Sequence, residues 1–170
     1  HVAVRRQRQM CIRDRLNKQK VDDTILKKLN LKIKKPNLND WKRVVKAKLL
    51  PEKEVNVSFV GKYTELKDSY KSINEALEHA GIQNKAKVNI NFVEAEQITS
   101  KNVRRVLKKS DAILVPGGFG ERGVEGMILA CKYARENNVP YLGICLGMQI
   151  AIIEYARNCL LYTSPSPRDQ

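Results

Sequence analysis

In the stretch YLGICLGMQIAIIEYARN, residues 141–158, Cys145 stands between Gly143 and Gly147 at the point where one apolar run gives way to another. Two fates are open to such a thiol. It can be a small buried hydrophobe, as most free cysteines are. It can also be a nucleophile carried on a sharp strand-to-helix turn, where glycines let neighbouring backbone pass close. A loop earlier in the chain favours the second reading. VPGGFGERG, residues 115–123, places four glycines within seven residues directly after a short apolar run. Such a loop leaves amide N–H groups uncovered and able to hold an anion or a developing oxyanion. It lacks the lysine of GxxxxGK[ST] and the spacing of a dinucleotide fingerprint, so it fits poorly as a phosphate loop. With the G-x-C-x-G elbow it suggests nucleophilic chemistry: a sulfur at a helix N-terminus, the Leu146 amide as one oxyanion donor, and the glycine loop as the other.

These groups need elements that bring them to one place. From Glu54 onward the sequence alternates between strand and helix patterns. VNVSFVG (55–61) reads as a strand, and DSYKSINEALEHAG (68–81) as a helix with Gly81 at its C-cap. KVNINFV (87–93) is a strand alternating Val88, Ile90 and Phe92, and TSKNVRRVLKKS (99–110) is a helix with Ser100 as its cap. DAILVP (111–116) is a short buried strand, followed by a helix over 123–138, a strand over 139–144 and a helix over 146–158. The alternation predicts an α/β fold: a three-layer, mostly parallel, flavodoxin-like sheet with helices on both faces, cut on its C-terminal side. In such sheets function gathers at the carboxyl ends of the strands, where both glycine-rich segments fall.

Residues 16–53 read as a Lys-rich helical connector. Val21, Ile25, Leu26, Leu29 and Leu31 share one helical face. In the next helix Asn39 is the expected N-cap, with Trp41, Val44, Val45 and Leu49 on a stripe bracketed by Pro36 and Pro51. The two ends lack this logic. Residues 1–15, with RRQRQMCIRDR, and 159–170, with CLLYTSPSPRD, resemble translated sequencing adaptors, and the native insert is expected to run from Leu16 to Asn158.

The formal net charge of +14 shrinks on the same argument. Residues 1–15 carry five Arg against one Asp, and residues 16–53 carry twelve Lys/Arg against four acids. Residues 54–158 are nearly balanced, with fourteen against twelve. The basic excess therefore sits in a suspect end and a connector, so no nucleic-acid partner is expected. Setting aside Cys11 and Cys159 leaves Cys131 and Cys145, with neither a disulfide framework nor a zinc pattern, and no metal is expected. Cys131 lies mid-helix as a packing residue. His79, near a helix end, is expected to have no catalytic role. There is no signal-peptide pattern or bilayer-length apolar run, which suits a cytoplasmic protein with no membrane partner.

PGGFGERGVEGMILACKYARENNVPYLGICLGMQIAIIEYARN and GKYTELKDSYKSINEALEHAG closely resemble the glutaminase domain of the CTP synthase family, within the class I, triad-type glutamine amidotransferases. That resemblance implies Cys145 as the catalytic nucleophile, attacking the carboxamide of glutamine to form a thioester and release ammonia. It implies Gly117, Gly118, Leu146, Gly147, Met148 and Gln149 as the glutamine and oxyanion site, with Phe119 and Arg122 in gating or GTP-linked roles. It further implies a synthetase domain that aminates UTP to CTP with ATP and Mg²⁺, GTP as activator, and a homo-oligomer. The family's His and Glu lie downstream of the nucleophile and the chain stops before them, so this piece alone is expected to be inactive. Two alternatives stay open: another Cys-elbow α/β hydrolase, γ-glutamyl hydrolase or peptidase-like, and a non-catalytic flavodoxin-like binding module.

Overall fold

Strands form here because β-branched and aromatic residues alternate so that each strand can be covered on both sides. The computed structural model describes residues 15–16, 18–31, 37, 39–62, 67–118 and 120–161. The chain divides into two units, His1–Asp40 and Trp41–Gln170. The first contains helix α1 (Val21–Lys28), with Asp22 and Asp23 in its first turn and Lys27 and Lys28 in its last, as the helix macrodipole favours. None of its residues is buried, and Ile25 and Leu29 are exposed.

Helix α2 (Asn39–Leu49) begins at the boundary and runs into the second unit. Asn39 is its first helical residue and not its cap. The Asn39 N–H donates to Asn37 Oδ1 at 3.0 Å, so Asn37 satisfies the orphan donor. Of the expected stripe only Val44 is half-buried, as is Ala47 outside it, while Trp41, Val45 and Leu49 are exposed. An ion pair between Lys48 and Glu78 ties α2 to the next helix.

The second unit is built on a four-stranded parallel sheet of order β2-β1-β3-β4. Its strands are β1 (Lys53–Gly61), β2 (Ala86–Glu94), β3 (Ala112–Val115) and β4 (Tyr141–Gly143). One face carries α3 (Lys71–Gln83), which packs on β2. Beneath it lie Val57, Phe59 and Leu114, with Ile73, Leu77 and Ile90 against them. The Phe59 ring lies 4.6 Å from that of Tyr70 and 5.1 Å from that of Phe92. The other face carries α4 (Val103–Leu107), α5 (Val124–Glu136) and α6 (Leu146–Asn158) over Val60, Val93, Ile113 and Val115. The same strands thus feed two cores through the period-2 alternation of their side chains, giving the three layers expected.

Two expected caps are corrected. Gly81 is buried inside α3, which continues to Gln83. A Cβ there would stand 2.6 Å from the Ala86 carbonyl oxygen, so the residue permits a close helix–strand approach. Ser100 does not cap α4. Asn102 precedes that helix, and its side chain accepts from the Thr99 N–H at 2.8 Å and donates to the Gln97 carbonyl at 2.7 Å, holding the turn before the helix starts.

Candidate active site

Parallel strands align their carboxyl ends, so the segments leaving β1, β3 and β4 meet on one edge. Strand β4 is held to β3 in the register Ile113↔Tyr141, Leu114↔Leu142, Val115↔Gly143. The chain then turns within two residues. The Ile144 N–H donates to the Val115 carbonyl at 2.9 Å, and the Gly147 N–H to the Ile144 carbonyl at 3.0 Å. Helix α6 opens with the Met148 and Gln149 amides on the Cys145 carbonyl, at 3.1 and 3.2 Å. Cys145 itself takes φ 53° and ψ −105°, a strained position for a residue with a side chain. Such strain costs on the order of 1–3 kcal/mol and concentrates at functional sites.

The flanking glycines follow from that geometry. A Cβ on Gly143 would lie 2.4 Å from the Gly147 carbonyl group, and a Cβ on Gly147 would lie 2.1 Å from the Val115 oxygen. The chain crosses itself here with room for hydrogen only. The spacing G-x-C-x-G is therefore a steric requirement of the turn.

The result is an exposed Cys145 thiol at the sheet's rim, not a sulfur sunk among aliphatic groups. The glycine-rich loop lies directly beside it. A Cβ on Gly117 would stand 3.4 Å from Cys145 Cβ and 3.9 Å from its Sγ. One on Gly118 would stand 3.5 Å from Leu146 Cδ2. The two segments singled out in the sequence thus adjoin, with the sulfur at the N-terminus of a 13-residue helix, the positive end of its macrodipole. Of the other expected site residues, Met148 and Gln149 are exposed on the first turn of α6. Gly147 is buried and faces Val115, where its lack of a side chain shapes the turn. Arg122 forms an ion pair with Glu96, two residues beyond the end of β2. Phe119 lies outside the described residues.

The second thiol contrasts. Cys131 sits in α5, 6% exposed, and burial pushes it up to about 11, with the Glu154 carboxylate adding to the effect. Glu154, fully buried in α6, is held by Arg135, whose Nε and Nη2 donate to its oxygens at 2.8–3.2 Å. Tyr141 Oη donates to the Gly147 carbonyl at 2.7 Å, tying the start of β4 to the first turn of α6. His79, the one histidine among the described residues, is exposed in the last turns of α3. Helix α3 runs back against the strands and ends where β2 begins, so His79 belongs to the edge opposite Cys145. Two clefts of about 430 and 390 Å³, lined by residues of α2, α3 and β2, also lie away from the elbow.

One residue escaped the sequence reading. Lys62 follows β1 directly and is buried, with its Nζ donating to the Gly120 carbonyl at 2.5 Å. The only signal was its place in GKY, because a lysine just after a strand ordinarily points to solvent. Among the described residues no cluster of side chains is arranged to hold a metal ion, and no helix is long and apolar enough to cross a membrane.

Comparison with known proteins gives three findings. A family model described as "Glutamine amidotransferase class-I" matches residues 65–168. The CTP synthase of Caldanaerobacter subterraneus subsp. tengcongensis is 53% identical over 143 residues, which is 84% of this chain and 27% of that protein. A solved structure, the Trypanosoma brucei CTPS glutaminase domain with bound acivicin, is 42% identical with a TM-score of 0.59, covering 62% of this chain and 42% of that one. The chain thus spans about a quarter of the length of the curated relative it matches.

Proposed function

The chain belongs to the class I glutamine amidotransferases, and from that premise we propose that it is part of the glutaminase half of a CTP synthase. The observation that carries the reading is the exposed, strained Cys145 with Gly117 in contact beside it. In the proposed reaction the Cys145 sulfur attacks the carboxamide carbon of glutamine. The carbonyl oxygen gains the negative charge and is met by the amides of Leu146 and the Gly117–Gly118 loop, while the α6 N-terminus adds a favourable field. Collapse breaks the C–N bond and releases ammonia, which takes up a proton on leaving. Water then cleaves the γ-glutamyl thioester to glutamate and regenerates the thiol. His79 stands at the wrong edge to serve as base, so that group comes from outside the described residues.

Ammonia is proposed to pass to a synthetase domain that aminates UTP to CTP. ATP and Mg²⁺ would supply the phosphoryl chemistry there, with GTP as activator. Phe119 and Arg122 are proposed for gating or GTP-linked roles, the parent enzyme as a cytoplasmic homo-oligomer, and glutamine as the ligand of this half. None of the described residues is assigned to ATP or Mg²⁺.

The test is labelling with 6-diazo-5-oxo-norleucine in the full-length polypeptide that carries this segment. Modification at Cys145 that glutamine prevents is the expected result. Cys145→Ala should remove glutamine-supported CTP formation and leave ammonia-supported formation intact. Loss of both would point to a different enzyme, and labelling elsewhere to a non-catalytic module.

A further inference from the structure

Lys62 has no part in the chemistry above, yet it occupies the centre of the functional edge. It follows Gly61 at the end of β1, the strand between β2 and β3, and is 5% exposed. Lysines are almost never this buried unless their ammonium is engaged. Here the backbone holds it from behind, with Tyr70 Oη donating to the Lys62 carbonyl at 2.7 Å while the Tyr70 ring packs on Phe59. In front, the stem runs under the glycine-rich loop. Lys62 Cδ comes within 4.0 Å of the Cβ position of Gly118, and Nζ donates to the Gly120 carbonyl at 2.5 Å.

The loop needs such a brace. Glycines let it bring amides close to the sulfur, but the same lack of a Cβ lets its peptides rotate and present carbonyl oxygen where N–H is wanted. An oxyanion donor acts only when held in place before the charge develops. Lysine offers three donors and no acceptor, so it can fix a carbonyl without competing for the amides.

We infer that Lys62 is a positioning residue for the oxyanion loop, with its ammonium anchoring the Gly120 carbonyl and its stem lying against Gly118, the residue after the Gly117 that adjoins Cys145. This rests on the reading of Cys145 as the glutaminase nucleophile, and it concerns a residue that does not touch the reacting atoms. The charge also gives the edge a fixed cation on the loop's inner side, which a neutral side chain of equal length would not.

The decisive variant is Lys62→Met, which keeps most of the stem and removes donor and charge. On the chain itself, amide hydrogen exchange in 117–123 should accelerate by about tenfold or more, because the anchoring bond is gone. In the full-length polypeptide, kcat for glutamine hydrolysis should fall about ten- to a hundredfold with KM within about twofold, a fraction of the loss from deleting an oxyanion donor outright. Ammonia-supported synthesis should stay unchanged. Unaltered loop exchange, unaltered kcat, or a loss appearing wholly in KM would each overturn the inference. If Lys62→Met fails to fold, Tyr70→Phe keeps the ring and removes the hold on the Lys62 carbonyl. It should lower kcat in the same direction by a few-fold, and an unchanged kcat overturns the inference. Wild-type polypeptide that shows no glutamine-protected capture at Cys145 would sink the nucleophile reading instead, and loop exchange would then judge the brace on its own.

Discussion

Cys131 and Cys145 are fourteen positions apart, and their surroundings give them opposite properties. Cys131 lies in the middle of α5 with Ile150, Ala134 and Val115 in the same core, so its sulfur behaves as a small hydrophobe. Cys145 sits where a strand becomes a helix, exposed and at positive φ, with a glycine-rich loop alongside. Residue type is the same; backbone and solvent decide. A thiol becomes a candidate nucleophile here because the chain path leaves it exposed at a strained turn.

The largest effect that could break this contrast is chemical. Cys145→Ala should lower glutamine-dependent turnover of the full-length polypeptide by roughly 10³-fold or more, as loss of a nucleophile does, while Cys131→Ala should leave it within about twofold. Equal losses from both would erase the distinction. Next comes the elbow's steric demand. Gly147→Ala puts a methyl 2.1 Å from the Val115 oxygen. It should destabilise the domain by about 1–3 kcal/mol or more in denaturant unfolding, with turnover falling too because the turn must open. A tolerated alanine would mean that the crossing is looser than described.

A smaller effect is expected from the core side. Cys131→Ala leaves a void of about one sulfur and should cost about 1–2 kcal/mol in unfolding free energy. The smallest concerns pH. The Cys131 thiol is pushed from 9.0 up to about 11 by burial. Between those values the unfolded chain loses this proton while the folded chain keeps it. The contribution to stability is therefore complete below pH 9 and is lost as pH rises toward 11. Urea midpoints measured from pH 8 to 11 should decline more steeply for wild type than for Cys131→Ala. Matching slopes would place the sulfur in water.

The sequence revealed what sterics and pattern impose. The four strands and the helix over 146–158 were legible because both faces of each strand must be covered and because G-x-C-x-G admits little else at that turn. Caps were less legible. Gly81 looked like a helix terminator but serves a close approach to Ala86, and Asn102, not Ser100, stands before α4, with its side chain spent on the preceding turn. Both errors have one cause: a cap is a local signal, and a neighbouring strand or an Asx-type turn can claim the same residue. The apolar stripe of α2 misled differently, since periodicity reports that a face is apolar and not which neighbour is present to cover it. Lys62 was out of reach because its burial depends on a loop 58 positions away in the chain.

The strand order carries a consequence for how the protein comes into being. Strand β1 lies between β2 and β3, and among the described residues β4 pairs with β3 alone. The hydrogen bond from Ile144 to Val115 requires that last pairing. On a ribosome, Cys145 can consequently take this pose only after β3 and β4 have both emerged and paired.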